Sequence, residues 1–138
     1  MPTLRLTFGL IASALLVREA QASKCVPMTP ARQFERADAV VVGFIEAIES
    51  VDSRSYATKA RVTVERCWKG RISERVSVFT DGTSAVEFEK GQQYLLFLKS
   101  LSAYDYSADR CNGSARLESS GRALDWLRRF PSGHCSGR

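Results

Sequence analysis

The alternation of apolar and polar residues predicts a chain built mainly of strands. Residues 39–48 are almost wholly apolar and rich in β-branched side chains, which favours a central strand covered on both faces. Gly43 interrupts this run, and a glycine within a strand often marks the bend that a small barrel needs in order to close. We expect the other strands to wrap onto this one.

The second strand has a different pattern. Ala60, Val62 and Val64 alternate with polar residues, so one face of this strand is expected to be buried and the other solvated. If the alternation continues, Cys67 lies on the polar side and Trp68 on the core side.

Three further strands complete the predicted set. Residues 75–79 and 92–99 predict the third and fourth strands, and the fourth is apolar on both faces. Between them, residues 81–84 have the composition of a turn. A weaker fifth strand is expected at residues 103–111 or at residues 115–117.

Short helices are predicted at both ends of the strand region. Thr29 can cap a helix and Pro30 suits its first position, so we expect a helix there that lays Phe34 on the core. A second helix is predicted at residues 119–130, where apolar residues share one face, and Pro131 ends it. These elements indicate a mainly β fold, a five-stranded Greek-key barrel of the OB type with a short N-terminal helix and a C-terminal helix.

Residues 1–22 have the three parts of a secretory signal peptide. These are a positive charge at Arg5, an apolar run at residues 6–17 and a small-residue cleavage box at residues 20–22. The apolar run is shorter than the roughly 20 residues that a membrane-spanning helix needs. We therefore expect a secreted or periplasmic protein without a membrane span.

The mature chain is expected to form one domain at residues 23–130 and a tail at residues 131–138 that Cys135 holds. The net charge of +5 is spread along the sequence, which favours a solvated surface over a nucleic-acid interface. The one histidine, His134, lies in the tail, so no base for a catalytic nucleophile is predicted. We expect no enzyme activity, no cofactor and no metal site.

Four cysteines lie in the mature chain, namely Cys25, Cys67, Cys111 and Cys135. An even number of cysteines in an exported chain predicts two disulfide bonds. The sequence alone allows three pairings of these four residues.

Several short motifs follow one another in a defined order along the mature chain. They are Cys25-Val26-Pro27, Phe34 with Ala37-Asp38-Ala39-Val40 and Gly43, Val64 with Trp68-Lys69-Gly70, Phe88-Glu89 with Gly91 and Tyr94-Leu95-Leu96-Phe97, and Cys111. In this order and spacing the chain resembles the N-terminal domain of the tissue inhibitors of metalloproteinases. More closely, it is similar to short secreted single-domain proteins of that type from bacteria, and the netrin-like modules share the fold.

The resemblance implies an OB barrel with an inhibitory N-terminal edge. In the animal inhibitors, a terminal Cys chelates the protease's catalytic zinc through its α-amino and carbonyl groups, and the next side chain enters the specificity pocket. These positions are Ser23 and Lys24 here, and Ser84 stands where the disulfide partner of the terminal Cys would be. The resemblance implies a partner-binding site made of residues near the mature N-terminus and of residues in the turn that begins at Thr83. These residues are Ser23, Lys24, Cys25, Val26, Pro27, Ser84, Ala85 and Val86.

The resemblance also implies how the cysteines pair. The family's second bond corresponds to Cys25 and Cys111, and we therefore pair the remaining Cys67 with Cys135. Glu35 stands where the first Cys of the family's third bond would be.

The function implied is that of a secreted, monomeric protein-binding module, with inhibition of a zinc metalloprotease as the specific hypothesis. The alternative is a netrin-like binding or cell-envelope-associated module without protease inhibition. In either case the expected partner is a protein, and neither nucleic acid nor a membrane span is expected.

Overall fold

The computed structural model describes residues 25–51 and 56–133. The predicted signal peptide, Ser23, Lys24 and Cys135 lie outside these residues. The helices and strands are α1 (Pro30–Arg36), β1 (Ala39–Ser50), β2 (Thr58–Lys69), β3 (Arg75–Thr80), β4 (Gln93–Ser100), β5 (Asp105–Ser107), β6 (Ala115–Arg116) and α2 (Gly121–Leu127). No helix in these ranges is long and apolar enough to cross a membrane.

Five of the strands close into a barrel. β1 pairs antiparallel with both β2 and β4, and β3 pairs antiparallel with β2 and parallel with β5. β5 in turn pairs antiparallel with β4, which completes the circle β1-β2-β3-β5-β4. The predicted mainly β, five-stranded OB-type barrel with short helices is therefore confirmed. Both segments considered for the fifth strand are strands, since β5 closes the barrel and β6 lies outside against β4.

β1 is covered on both faces, as its apolar run predicts. Val41 and Ile45 belong to the core inside the barrel. Val40 and Val42 face the other way, into a second core beneath the helices. β4 divides its apolar side chains between the same two cores, so the two strands form the wall that separates them.

The second core is closed by both helices. Thr29 caps α1 by accepting a hydrogen bond from the Arg32 amide at 3.3 Å, as predicted. The Phe34 ring of α1 lies 5.4 Å from the ring of Trp126 and 5.6 Å from that of Phe130, centroid to centroid. Together with the buried Leu127, these contacts dock the C-terminal helix against the N-terminal one.

The predicted orientation of Cys67 and Trp68 is wrong. Cys67 is buried in the barrel core, and Trp68 packs against the second core outside the barrel. The reason is a β-bulge at Glu65: Val42 pairs with Arg66 whereas the next β1 residue pairs with Val64, so one residue of β2 is left over. An extra residue reverses the inside–outside alternation, and simple periodicity cannot foresee it.

Gly43 lies where β1 shifts its register against β2, as its position in the apolar run predicts. A Cβ at this position would overlap Val62 Cγ1 and lie 3.1 Å from Leu96 Cδ1, both in the barrel core. The backbone of β1 therefore approaches its neighbours more closely than any side chain would allow.

We predict that Gly43→Ala lowers the free energy of unfolding by about 1–3 kcal/mol, because the added methyl group overpacks the barrel interior. Urea unfolding measures the change. Gly121→Ala is the matched control, since a Cβ at this helical position meets nothing within 4 Å. A Gly43→Ala protein as stable as the wild type would show that the close approach does not constrain the barrel.

Candidate partner-binding edge

A disulfide bond fixes the start of the described chain. Cys25 is bonded to Cys111 as predicted, with their Cα atoms 4.9 Å apart and a sequence separation of 86. On a chain-entropy model, closing a loop of this length stabilises the fold by about 4 to 5 kcal/mol. The two residues that follow Cys25 are open to solvent, since Val26 is 80% exposed and Pro27 is exposed as well.

The segment from Cys25 to Thr29 is held at both ends. Cys25 is held by the disulfide, and Thr29 is the N-cap of α1. The turn that carries the other cysteine also packs on α1, because a Cβ on Gly113 would lie 2.7 Å from Gln33 Cδ. The exposed residues therefore bridge two anchored points.

Asp109 connects the disulfide to the turn after β3. Its Oδ1 accepts a hydrogen bond from the Cys111 amide at 2.6 Å, which caps a 3₁₀ turn over Arg110–Asn112. Its Oδ2 accepts a hydrogen bond from the Ser84 hydroxyl at 2.7 Å. One carboxylate therefore serves both the cysteine turn and the predicted edge turn.

Arg110 makes two more links to the same turn. Its backbone amide donates to the Ser84 carbonyl oxygen at 2.9 Å, and its guanidinium donates to the Thr83 carbonyl oxygen at 2.7 Å. The turn itself begins at Gly82, whose φ of 76° favours glycine, and the Ala85 amide donates back to the Gly82 carbonyl oxygen. The two halves of the predicted edge are thus joined through residues 109–111.

The predicted edge residues differ in exposure. Val26, Pro27 and Thr83 are exposed, whereas Cys25, Ser84 and Ala85 are half-buried. Val86 is 6% exposed, packs in the barrel core and donates its amide to Thr80 Oγ1 at 2.9 Å. Its side chain anchors the turn and does not lie on the surface.

Asp109 and Arg110 are part of this site but were not among the predicted residues. A signal for Asp109 was present in the sequence, because an Asp two residues before a turn residue commonly accepts that residue's amide. The role of Arg110 depends on a turn 27 residues earlier in the chain. Local pattern alone could not have indicated it.

The second disulfide is described in part. Cys67 is disulfide-bonded, but its predicted partner Cys135 lies outside the described residues, so the pairing stays a prediction. The start of the tail lies beside Cys67. Gly133 pairs with Cys67 through two backbone hydrogen bonds of 3.0 and 3.1 Å.

Tyr94 fixes the chain that follows the edge turn. Its hydroxyl donates to the Glu87 carbonyl oxygen and accepts from the Glu89 amide, both at 2.8 Å. Burial raises the pKa of Tyr94 above 10.0 and outweighs the Glu89 hydrogen bond, which lowers it. Burial likewise raises the pKa of Tyr106, and the negative charge of Asp38 adds to that effect.

No protein-family model matches the chain, and no curated protein matches it either. Within residues 25–51 and 56–133, no three His, Cys, Asp or Glu side chains are grouped so as to hold a metal ion.

We predict that Asp109→Ala lowers the free energy of unfolding by about 1–3 kcal/mol, since it leaves the Cys111 amide and the Ser84 hydroxyl without their acceptor. Hydrogen exchange of the Cys111 amide should become faster. Asp81→Ala is the control, because Asp81 is exposed and bonds no described residue. Equal exchange rates in the two variants would contradict the linking role of Asp109.

We predict that the free energy of unfolding falls as the pH rises above about 10. A pKa raised in the folded state gives a contribution that is complete below the unfolded-state pKa and is lost as the pH rises through the folded-state pKa. Tyr94→Phe should be less stable at neutral pH by about 1–3 kcal/mol, because two backbone groups lose their partner. It should also show a smaller further loss between about pH 9 and pH 11, measured by denaturant titration. An unchanged alkaline loss in Tyr94→Phe would contradict the assignment to Tyr94.

Proposed function

We propose that the protein is a secreted protein-binding module that engages its partner with the edge at residues 25–27 and 83–85. More specifically, we propose that it inhibits a zinc metalloprotease. The observation that carries the proposal is the anchoring of an exposed N-terminal segment by the Cys25–Cys111 bond, next to a turn held by Asp109.

Anchoring matters because fixing a free chain end costs about 1–2 kcal/mol for each backbone residue ordered on binding. In this edge, the disulfide bond and the helix cap already order the backbone when the protein folds, so less of that cost remains on binding. Val26 offers an apolar side chain that is 80% exposed, so a partner that covers it gains the free energy of burying that apolar surface. Preorganisation of this kind favours tight binding by a small surface.

The inhibition hypothesis uses the chemistry of a free N-terminus. If cleavage follows Ala22, the α-amino group and carbonyl oxygen of Ser23 lie two residues before the disulfide. A catalytic zinc site keeps an open coordination position that such a pair can fill. Lys24 then presents its side chain to the protease pocket, as the resemblance to the tissue inhibitors of metalloproteinases implies.

The proposed setting is outside the cytoplasm, secreted or periplasmic. Disulfide bonds form and persist in oxidising compartments, and both Cys25 and Cys67 are disulfide-bonded. We propose that the protein acts there as a monomer, because the N-terminal edge has to remain accessible.

We predict that mature protein beginning at Ser23 inhibits a member of a zinc metalloprotease panel, and that one extra N-terminal Ala weakens inhibition by about a hundredfold or more. The extension moves the amine away from the zinc. Inhibition constants against a peptide substrate measure the effect.

Two internal variants separate the edge from the terminus. Val26→Asp should weaken inhibition about tenfold by placing a charge in an apolar contact. Leu101→Asp is the matched control, since Leu101 is 47% exposed in the β4–β5 connection and lies outside the edge. Equal inhibition with and without the added Ala would contradict zinc chelation. Absence of inhibition by every version would favour the netrin-like binding module instead.

A further inference from the structure

A groove of about 390 Å³ lies on the outer surface of the barrel. It shares no residue with the partner-binding edge. The polar groups and the aromatic ring that line it come from β1, β2, β3 and the β4–β5 connection, and they are Glu46, Arg61, Thr63, Arg75, Ser77 and Tyr104.

The strand register places two arginines together in this groove. Arg61 pairs with Ser77, and Thr63 pairs with Arg75. Residues two apart on one strand project from the same face, so the two arginines are diagonal neighbours across the β2–β3 pair. The side chains between them point inward, which leaves the four polar residues on the outside.

Among the residues that the structure describes, neither arginine has an anionic partner. Arg61 and Arg75 are both exposed, and neither forms an ion pair or a side-chain hydrogen bond with any residue in the part of the chain that the structure describes. By contrast, the next basic residue on the same strand, Lys59, lies 3.7 Å from the carboxylate of Glu49. Two unpaired positive charges on one face repel each other, and an anion placed between them would remove that repulsion.

The rest of the groove is not uniformly basic. Glu46 Oε1 accepts a hydrogen bond from the Thr63 hydroxyl at 2.8 Å, which orients the carboxylate and leaves further lone pairs for a ligand's hydroxyl groups. Tyr104 is 57% exposed, and its carbonyl oxygen accepts from the Ser77 amide at 2.9 Å. The backbone of the residue that carries the aromatic ring is therefore hydrogen-bonded to β3.

We propose that this groove binds an acidic oligosaccharide. The paired guanidinium groups bind its carboxylate or sulfate, Glu46 accepts hydrogen bonds from its hydroxyls, and the Tyr104 ring packs on the apolar face of a sugar. The Glu46 carboxylate repels any polyanion, but the hydroxyl groups of an oligosaccharide offset this repulsion by donating hydrogen bonds to it, which neither a polyphosphate nor the side chains of an acidic peptide can do.

The test is titration calorimetry of the full mature protein with an oligogalacturonate hexamer and a heparin hexasaccharide. A neutral cello-oligosaccharide, oligoglutamate and single-stranded DNA of similar charge are the comparison ligands. Saturable binding of either acidic sugar, with at least about tenfold weaker binding of all three comparison ligands, is expected. The two acidic sugars distinguish carboxylate from sulfate recognition.

Charge-matched variants test the location. Arg61→Gln with Arg75→Gln should weaken binding by about a hundredfold, at about tenfold for each guanidinium. Arg32→Gln with Arg129→Gln removes the same charge outside the groove and should leave binding within about twofold. Equal losses in the two double variants would mean attraction to net charge only, and would overturn the proposal.

Tyr104 supplies a test that leaves the charge unchanged. Tyr104→Ala should weaken binding about tenfold, while Tyr104→Phe, which keeps the ring, should retain it. Absence of saturable binding to both acidic sugars, or equal binding of oligoglutamate or DNA, would overturn the proposal. Because none of these residues belongs to the edge, protease inhibition should be unchanged in all of these variants.

Discussion

Burial of both faces of β1 is the constraint on which the rest of the structure depends. A strand that is apolar on both sides needs cover on both sides, and the barrel supplies cover on only one. Val40 and Val42 therefore require a second layer, which α1 and α2 provide. Since α1 enters β1 directly, this second core also fixes where the N-terminal segment leaves the barrel.

The N-terminal edge follows from that arrangement. The helix cap at Thr29 ends the segment on one side, and the Cys25–Cys111 bond ends it on the other. Asp109 then extends the same anchor to Ser84. A hydrogen-bonded carboxylate next to the Cys25–Cys111 bond therefore connects the turn to the anchored segment.

The sequence predicted features that arise from local periodicity and from turn or cap chemistry. The strands, the cap at Thr29 and the bend at Gly43 are of this kind. The orientation of Cys67 was not predictable, because the bulge at Glu65 depends on how two strands pair and not on either strand alone. The role of Arg110 was not predictable for a similar reason, since its partner Thr83 is remote in sequence. The disulfide between Cys25 and Cys111 came from the family resemblance and not from spacing.

The helices cover one side of the barrel and leave the other uncovered, and this difference decides which surfaces are available for binding. The helices cover the outer faces of β1 and β4 at Val40, Val42, Leu95 and Phe97, so these positions offer no polar side chain to a ligand. β2 and β3 carry no helical cover at Arg61, Ser77, Thr63 and Arg75, and their outward side chains remain polar and accessible. The barrel therefore has one end organised by a disulfide and one side left open. Since the N-terminal edge and the groove share no residue, the protein partner and the acidic sugar that we propose would occupy separate surfaces of this one small domain.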